Sequence, residues 1–579
     1  MNTPVIEFNR LKKNLKKDLS SQKEVRIALL ADTASQMLTQ AIKGYGIEQH
    51  VHYNIFEADY NQIERQVFDP ASELYAFAPQ FVLIFRSSEK LVKEFYKKDV
   101  PAKEAFASHI AAHTAQLYET ITERTGAKVI FSNYTEINDG VFGNYASKVK
   151  SSFVYQVKKL NLLLMDLSQS YKNFFLNDIA SLIQQTGYHF SFDVKPYINA
   201  EMVYSIDFLP YVAKNTYDII AAISGSFKKC VILDLDNTTW GGIIGDDGLE
   251  GIQVGSLGLG KAFTELQLWV KELRKRGVIV AVCSKNTDEI AREPFIQHPE
   301  MVLRLDDIAV FVANWETKVD NIRHIQSILN IGFDAMVFLD DNSFEREMVK
   351  QGIPDITVPE LPEDPSEYLL YLRQLNLFET ASFTEEDGAR TQQYQEEAMR
   401  TTLQKSFTSE NDFLESLDME CEVKAFDAFT IPRIAQLSQR SNQFNLRTVR
   451  YTDAEVTATS ASEAHHTLSF SLRDKYGDYG LIAYVILHEQ EAGTLFIDSW
   501  VMSCRVLKRG MERFTLERIL AVAKEKGFNR VTGEYIPTKK NGLVREHYAS
   551  LGFSDGGNNL WHIDTGSPLT EQPIFITVK

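Results

Sequence analysis

The stretch Cys230-Val-Ile-Leu-Asp234-Leu-Asp236-Asn-Thr238 decides both how this chain folds and where its chemistry lies. Val231–Leu233 is a short, continuous apolar run, which reads as a strand buried on both faces, as in a parallel sheet. Asp234 and Asp236 follow it at i and i+2. Both therefore project into the crevice at the carboxyl edge of the sheet, where open parallel sheets bind ligands. Two carboxylates held there repel each other and attract a hard cation such as Mg²⁺. One can act as a nucleophile and the other as a general acid and base. Alone, the pair is equally compatible with a polar turn.

The flanking sequence adds strands at Val278–Cys283, Met301–Leu305 and Ala335–Leu339, with helical patterns near 258–276, 287–297, 316–330 and 343–351. Strands alternating with amphipathic helices indicate a parallel sheet covered on both sides. Ser284 and Asn286 follow the second strand, in Val-Cys-Ser-Lys-Asn. Lys318 lies in Asn314-Trp-Glu-Thr-Lys, and Asp340-Asp341-Asn342 ends the last strand. A phosphoryl group needs an in-line nucleophile, a metal, and a cationic or hydroxyl clamp, and these residues offer all three. The gaps from Asp234 to Ser284 and from Ser284 to Lys318 are 50 and 34 residues (284 − 234 and 318 − 284). One helix and one strand consume most of each, so no sizeable cap domain fits. The glycine-rich stretch Trp240–Gly251 reads as a short flap.

In this motif order, residues 228–352 resemble the haloacid-dehalogenase-like (HAD) phosphotransferases. The resemblance implies that Asp234 attacks phosphorus and that Asp236 serves as acid, then base. It implies that Ser284 and Lys318 hold phosphate oxygens, with Thr238, Asn286 and Asn342 near the substrate. Asp234, Asp236 through its backbone carbonyl, and Asp341 (less so Asp340) would hold Mg²⁺. The strings Asp234-Leu-Asp-Asn-Thr-Thr-Trp-Gly-Gly, Ala281-Val-Cys-Ser-Lys-Asn, Arg292-Glu-Pro-Phe, Phe338-Leu-Asp-Asp-Asn and Thr384-Glu-Glu-Asp are together similar to FkbH-like proteins, HAD subfamily IIIC. That resemblance implies a phosphorylated three-carbon glyceryl donor, phosphate release, and loading of the acyl group onto a carrier-protein thiol or pantetheine. A plain phosphatase in surface-polysaccharide synthesis and a non-catalytic scaffold are the alternatives.

The expected fold class is multidomain α/β, in four regions. Residues 1–225 read as an α/β domain resembling the SGNH hydrolases. It lacks a Gly-Asp-Ser turn, since its first strand ends Ala31-Asp32-Thr33, and is expected to be non-hydrolytic. Residues 226–365 form the HAD-like domain, and 366–418 a helical connector. Residues 419–579 show a mainly antiparallel α+β pattern resembling the GNAT acetyltransferases. In that fold a glycine-containing loop before a helix cradles a pyrophosphate on backbone N–H groups. Here the loop is Cys504-Arg505-Val-Leu-Lys508-Arg509-Gly510, with Lys508 at a glycine position. Cys504, Arg505, Arg509 and Gly510 are its acyl- or pantetheine-site candidates, and the basic stretch Arg505–Arg513 its candidate face for an acidic carrier. Asn442-Gln443-Phe444-Asn445 stands out as a polar patch after a helix.

Composition bounds the partners. Of 579 residues 44% are hydrophobic and 24% charged, the balance of a globular protein rather than a disordered one. The formal charge of −17 argues against nucleic acid, which requires clustered Lys and Arg. No apolar run reaches the roughly 18 residues of a membrane span. Four widely separated cysteines (Cys230, Cys283, Cys421, Cys504) match no zinc spacing and suit a reducing cytoplasm.

Overall fold

A computed structural model describes residues 6–19, 22, 24–384, 392–396, 400, 407, 409–491, 493–538, 540–568 and 573–579, with only the backbone of Glu491 and Cys504. Part of the expected connector, and Glu385 to Asp387 of the string beginning at Thr384, lie outside these residues. The chain divides into two compact units, Met1–Ile220 and Ala221–Lys579. No helix among the described residues is long and apolar enough to cross a membrane.

The first unit holds five strands: β1 (Glu24–Ala31), β2 (His52–Glu57), β3 (Phe81–Phe85), β4 (Lys128–Ser132) and β5 (Phe174–Asn177). They pair in parallel, in the order β2-β1-β3-β4-β5. The middle strands are buried because the helices Phe106–Thr125 and Phe153–Ser170 lay Ile110, Leu117, Ile121, Leu160 and Leu164 against them. β2 and β5 are edge strands that the sequence reading did not anticipate. β5 is four residues long and only its end residues are buried, too short a signal against its helical surroundings.

The second unit begins with β6 (Cys230–Leu233), β7 (Ile279–Ser284), β8 (Val310–Ala313) and β9 (Met336–Leu339), parallel and in the order β8-β7-β6-β9. The strand expected at Met301–Leu305 is not in the sheet. Its apolar residues are buried beside the sheet, and the backbone N–H groups of Val302 and Leu303 donate to the Gln267 side chain instead, at 3.0 and 3.1 Å. The strand position is taken by Val310–Ala313, which leads directly to Lys318. Register then sets the chemistry: Leu233 lies beside both Leu339 and Val282, so Asp234, Asp340 and Ser284 emerge at one edge.

The remaining strands are β10 (Met419–Lys424), β11 (His465–Asp474), β12 (Gly477–Glu491), β13 (Thr494–Met502), β14 (Arg530–Glu534), β15 (Ser554–Gly557), β16 (Leu560–Asp564) and β17 (Ile576–Val578). They form one eight-stranded sheet, antiparallel except for the β13–β14 and β10–β17 pairs. The helix Met511–Glu525 covers one face with Phe514, Ile519 and Leu520. The helix Ile431–Arg440 packs Ile434 and Leu437 on Leu481, Tyr484 and Ile486 of β12.

Candidate active site at the carboxyl edge of the second sheet

Asp234 is the first residue past β6, and its N–H donates to the Leu339 carbonyl at 2.9 Å, which seats it beside Asp340. Lys318 opens the helix Lys318–Leu329. A lysine opposes the positive helix N-terminus, so two carboxylates must hold it there. Its Nζ lies 3.0 Å from Asp234 Oδ2 and also pairs with Asp340 Oδ2. All three groups are buried, with Asp340 fully so. Burial pushes the Asp234 carboxyl up to about 7, against the pull of Lys318. The two carboxylates hold the Lys318 ammonium well above its usual range despite its burial.

Asp234, Asp340 and Asp341 each offer an oxygen within 4.8 Å of the others. An all-carboxylate cluster of this kind suits a hard divalent cation. Thr238, which precedes the flap, donates through its hydroxyl to Asp341 Oδ1 at 3.3 Å and accepts the Asp341 N–H at 2.9 Å. Thr238 thus orients a candidate metal ligand rather than facing a substrate. Asn342 accepts from the N–H groups of Phe344 and Glu345 at 2.9 and 3.3 Å. It caps the following helix instead of reaching the crevice. Arg346, which the sequence reading passed over, donates to the carbonyls of Asp340 and Asp341 at 2.8 and 2.6 Å. An arginine at the start of the helix after a double aspartate was the signal that could have found it.

Asp236 stands apart from the three-carboxylate cluster. Trp240 Nε1 and the Ile244 N–H donate to its Oδ1 at 2.9 and 3.0 Å, and Asn286 Nδ2 to its Oδ2 at 2.8 Å. Asn286 is therefore a positioning group for Asp236. The turn carrying Asp236 reverses at Asn237, which adopts φ +53, and Asn tolerates this left-handed geometry. Gly241 pairs with Gln253 on either side of the helix Ile244–Gly251, which makes the expected short flap. Ser284 is buried at the end of β7. Cys283 points away into the core, where burial pushes its thiol up. Around the crevice Ile243, Trp315 and Phe344 are exposed, and Trp315 is 75% accessible.

The C-terminal loop departs from expectation. Lys508 and Gly510 do adopt positive φ, +63 and +82. The loop amide of Lys508, however, donates to Glu512 Oε1 at 3.0 Å, so the protein's own carboxylate sits where an anion would. Arg505 is buried, donating to the Tyr479 carbonyl at 3.3 Å and to Gln393, and Arg509 donates to the Tyr479 hydroxyl. Of the four basic residues between Arg505 and Arg513 only Lys508 is exposed, so this stretch does not form a basic docking face. The Cys504 side chain lies outside the described residues. Cys230, Cys283 and Cys421 are all buried.

The gap beside β13 is also occupied. β13 and β14 pair only from Thr494–Arg530 to Ile497–Gly533. Beyond that, Phe444–Leu446 threads between the continuations of the two strands. The Met502 N–H donates to the Phe444 carbonyl at 3.3 Å and the Ile536 N–H to the Leu446 carbonyl at 2.9 Å. Asn541 Nδ2 ties down Asn445 at 3.0 Å. Next to this segment a cavity of about 520 Å³ is lined by Lys229, Arg433, Arg440, Arg505, Lys540 and Asp334 among others. Lys229 and Asp334 precede β6 and β9. The cavity therefore borders the amino ends of the strands whose carboxyl ends carry Asp234 and Asp340.

The family described as FkbH, N-terminal domain, matches residues 26–221. The crystal structure of the N-terminal part of the protein BF1531 from Bacteroides fragilis, containing a phosphatase domain and complexed with Mg, is 53% identical. That match covers 66% of this chain and all of the other, with a TM-score of 0.63. Over about a quarter of the chain there is likeness to the ribosomal-protein-S18-alanine N-acetyltransferase of Escherichia coli. It is 13% identical, covers 26% of this chain and 96% of the other, and has a TM-score of 0.20. The spermidine N-acetyltransferase of Vibrio cholerae is also 13% identical, covering 25% and 95% with a TM-score of 0.21. No curated protein matches the chain. The match over the N-terminal region, and the identity sustained over the whole of a solved relative, establish that the chain belongs to the FkbH-like family.

Proposed function

We propose that the chain is a Mg²⁺-dependent HAD-type phosphatase of subfamily IIIC, acting on a phosphorylated three-carbon donor whose acyl group is delivered to a carrier-protein thiol. The observation that carries this reading is the cluster Asp234, Lys318, Asp340 and Asp341 at one sheet edge, with Asp236 held separately beside it. Bound at Asp234, Asp341 and the Asp236 carbonyl, Mg²⁺ would neutralise charge on the phosphoryl oxygens. The Oδ1 of Asp234, the oxygen Lys318 does not hold, attacks phosphorus, and the bond from phosphorus to the leaving oxygen breaks. Asp236 gives that oxygen a proton. It then takes a proton from the water that hydrolyses the aspartyl phosphate, freeing phosphate and restoring Asp234. Lys318 and Ser284 hold the phosphoryl oxygens.

Chemistry constrains the coupling to acyl transfer. Attack on an acyl phosphate at phosphorus leaves a free carboxylate and destroys the activated carbonyl. Asp234 therefore acts on a phosphate ester, and on a donor that also carries an acyl phosphate a thiol attacks the acyl carbon and expels that second phosphate. Among the described residues no large cap covers the site, and Trp315 and Phe344 are exposed near it, which supports a macromolecule closing it. The N-terminal domain is read as a non-hydrolytic SGNH-like module, and the C-terminal domain as GNAT-like.

A second reading, a plain phosphatase in surface-polysaccharide synthesis with the C-terminal domain serving recognition, is favoured by the filled β13 gap and the buried Arg505 and Arg509. The test measures free phosphate and carrier mass on the same samples. Asp234→Asn should lower phosphate release by several orders of magnitude, since the covalent route is lost. Undiminished release would sink the nucleophile assignment. Phosphate release with no mass gain on any carrier would favour the second reading.

A further inference from the structure

The protein treats the two oxygens of the Asp236 carboxylate differently. Oδ1 accepts twice, from Trp240 Nε1 at 2.9 Å and from the Ile244 N–H at 3.0 Å. Oδ2 accepts once among the described residues, from Asn286 Nδ2 at 2.8 Å. A carboxylate oxygen has two lone-pair positions, so Oδ1 is full and Oδ2 keeps one open. An indole N–H and a backbone N–H can only donate. Trp240 and Ile244 are both buried. A proton on Oδ1 would therefore displace one of them and leave a buried donor unmet, which is costly. On Oδ2 a proton displaces nothing.

Local folding fixes the indole in this place. The turn after β6 is closed at several points. Asn237 Oδ1 accepts the Gly242 N–H at 2.9 Å, and Gln267 Nε2 donates to the Thr239 carbonyl at 2.8 Å. Gly241 and Gln253 exchange backbone bonds at 3.0 and 2.7 Å. Gly242 turns the chain at φ +89, a conformation that glycine adopts readily. The Trp240 ring is fully buried and meets Phe295 edge-on at 5.7 Å. A buried indole N–H needs an acceptor, and here it takes the half-buried carboxylate of Asp236.

We propose that Trp240 is a positioning residue for the proton transfers of this crevice. By filling Oδ1 together with the Ile244 N–H, it makes Oδ2 the oxygen that gives a proton to the leaving group and later takes one from water. Trp240 has this role only if Asp236 is the acid and base of the reading above. One proton leaves and one returns. The Oδ2 proton passes to the leaving oxygen as the bond from that oxygen to phosphorus breaks. Oδ2 then takes a proton from the water whose oxygen bonds to the phosphorus of the aspartyl phosphate. Esters whose leaving oxygen needs that proton should depend on Trp240, and esters that release a stable anion should not.

The experiment compares kcat/KM of the full chain on phenyl phosphate and on p-nitrophenyl phosphate, whose leaving oxygen departs without a proton. This ratio covers the steps up to loss of the leaving group, so the later base step does not enter. Trp240→Phe keeps the aromatic packing and removes the N–H. It should lower kcat/KM about 100-fold on phenyl phosphate, as a misplaced catalytic group does, and leave p-nitrophenyl phosphate within a few-fold. A purely structural defect would lower both alike. Asp236→Asn should show the same split more strongly, because the acid itself is gone. An equal change on both esters in Trp240→Phe, with the split present in Asp236→Asn, would overturn the role of Trp240 and spare that of Asp236. No split in Asp236→Asn would overturn both. A further readout needs no turnover. The Trp240 indole N–H, identified by its loss in Trp240→Phe, should exchange with D2O about ten-fold faster or more in Asp236→Ala than in the wild type. Equal exchange rates would overturn the role of Trp240.

Discussion

At the scale of single residues, the carboxylates of the candidate crevice are held by groups behind them. Arg346 grips the carbonyls of both Asp340 and Asp341, and Thr238 orients the Asp341 carboxylate. Partners behind metal ligands typically matter 10- to 100-fold for metal affinity. Arg346→Ala should therefore raise the Mg²⁺ concentration giving half-maximal phosphate release by about 10- to 100-fold. An unchanged midpoint in a folded variant would remove Arg346 from this role. The placement of Asp234, Asp236, Ser284, Lys318 and Asp341 at one sheet edge was legible because each follows a strand or opens a helix in a fixed order. Thr238, Asn286 and Asn342 were legible as polar residues near the crevice, but not in their roles. Those roles are hydrogen bonds between loops far apart in sequence, and local pattern carries no trace of them.

At the scale of elements, the Phe444–Leu446 segment shows how a sheet gap is closed from within. Beyond Ile497 the splayed strands would leave backbone groups unpaired, and unpaired buried groups are costly. The segment supplies the missing bonds and is covered by His547, whose ring meets Phe444 and Trp500 edge-on at 4.7 and 4.6 Å. Burial alone lowers the His547 imidazole to about 3. A histidine depressed on folding contributes stability that is present above its unfolded value of about 6.5 and is lost as pH falls toward 3. The loss is at most about 5 kcal/mol. His547→Phe should flatten this acid limb, read through Trp500 fluorescence in urea titrations between pH 7 and about 3.5. Parallel curves for the two proteins would refute it. Sequence patterning named Asn442–Asn445 as unusual but offered no reason, since only the divergence of β13 from β14 creates the gap. The strand expected at Met301–Leu305 failed for a related reason: buried apolar residues were taken for a strand, while Gln267 took their backbone bonds.

At the scale of the whole molecule, the solved relative covers about two thirds of this chain, so the phosphatase region should stand without the C-terminal sheet. A chain ending at Thr384 should keep phosphate release from a generic phosphate ester within a few-fold of the full chain. Loss of release in a folded truncation would mean that the C-terminal sheet completes the crevice. The division of the chain into successive α/β and α+β regions was legible from strand and helix alternation. Edge strands such as β2, β5 and β17 were not, being short and half exposed. One arrangement has a kinetic consequence. The candidate crevice and the basic cavity open at opposite edges of the same four-stranded sheet, five residues apart along β6, or about 17 Å at roughly 3.3 Å per residue. A small molecule leaving one cannot pass through the sheet to reach the other; it must enter bulk water first. If the proposed acyl transfer takes place at the basic cavity, it requires two diffusive encounters without channelling. In that case the acyl-carrier product should appear after a lag that lengthens on dilution, and a scavenger added to the solution should intercept what passes between the two sites.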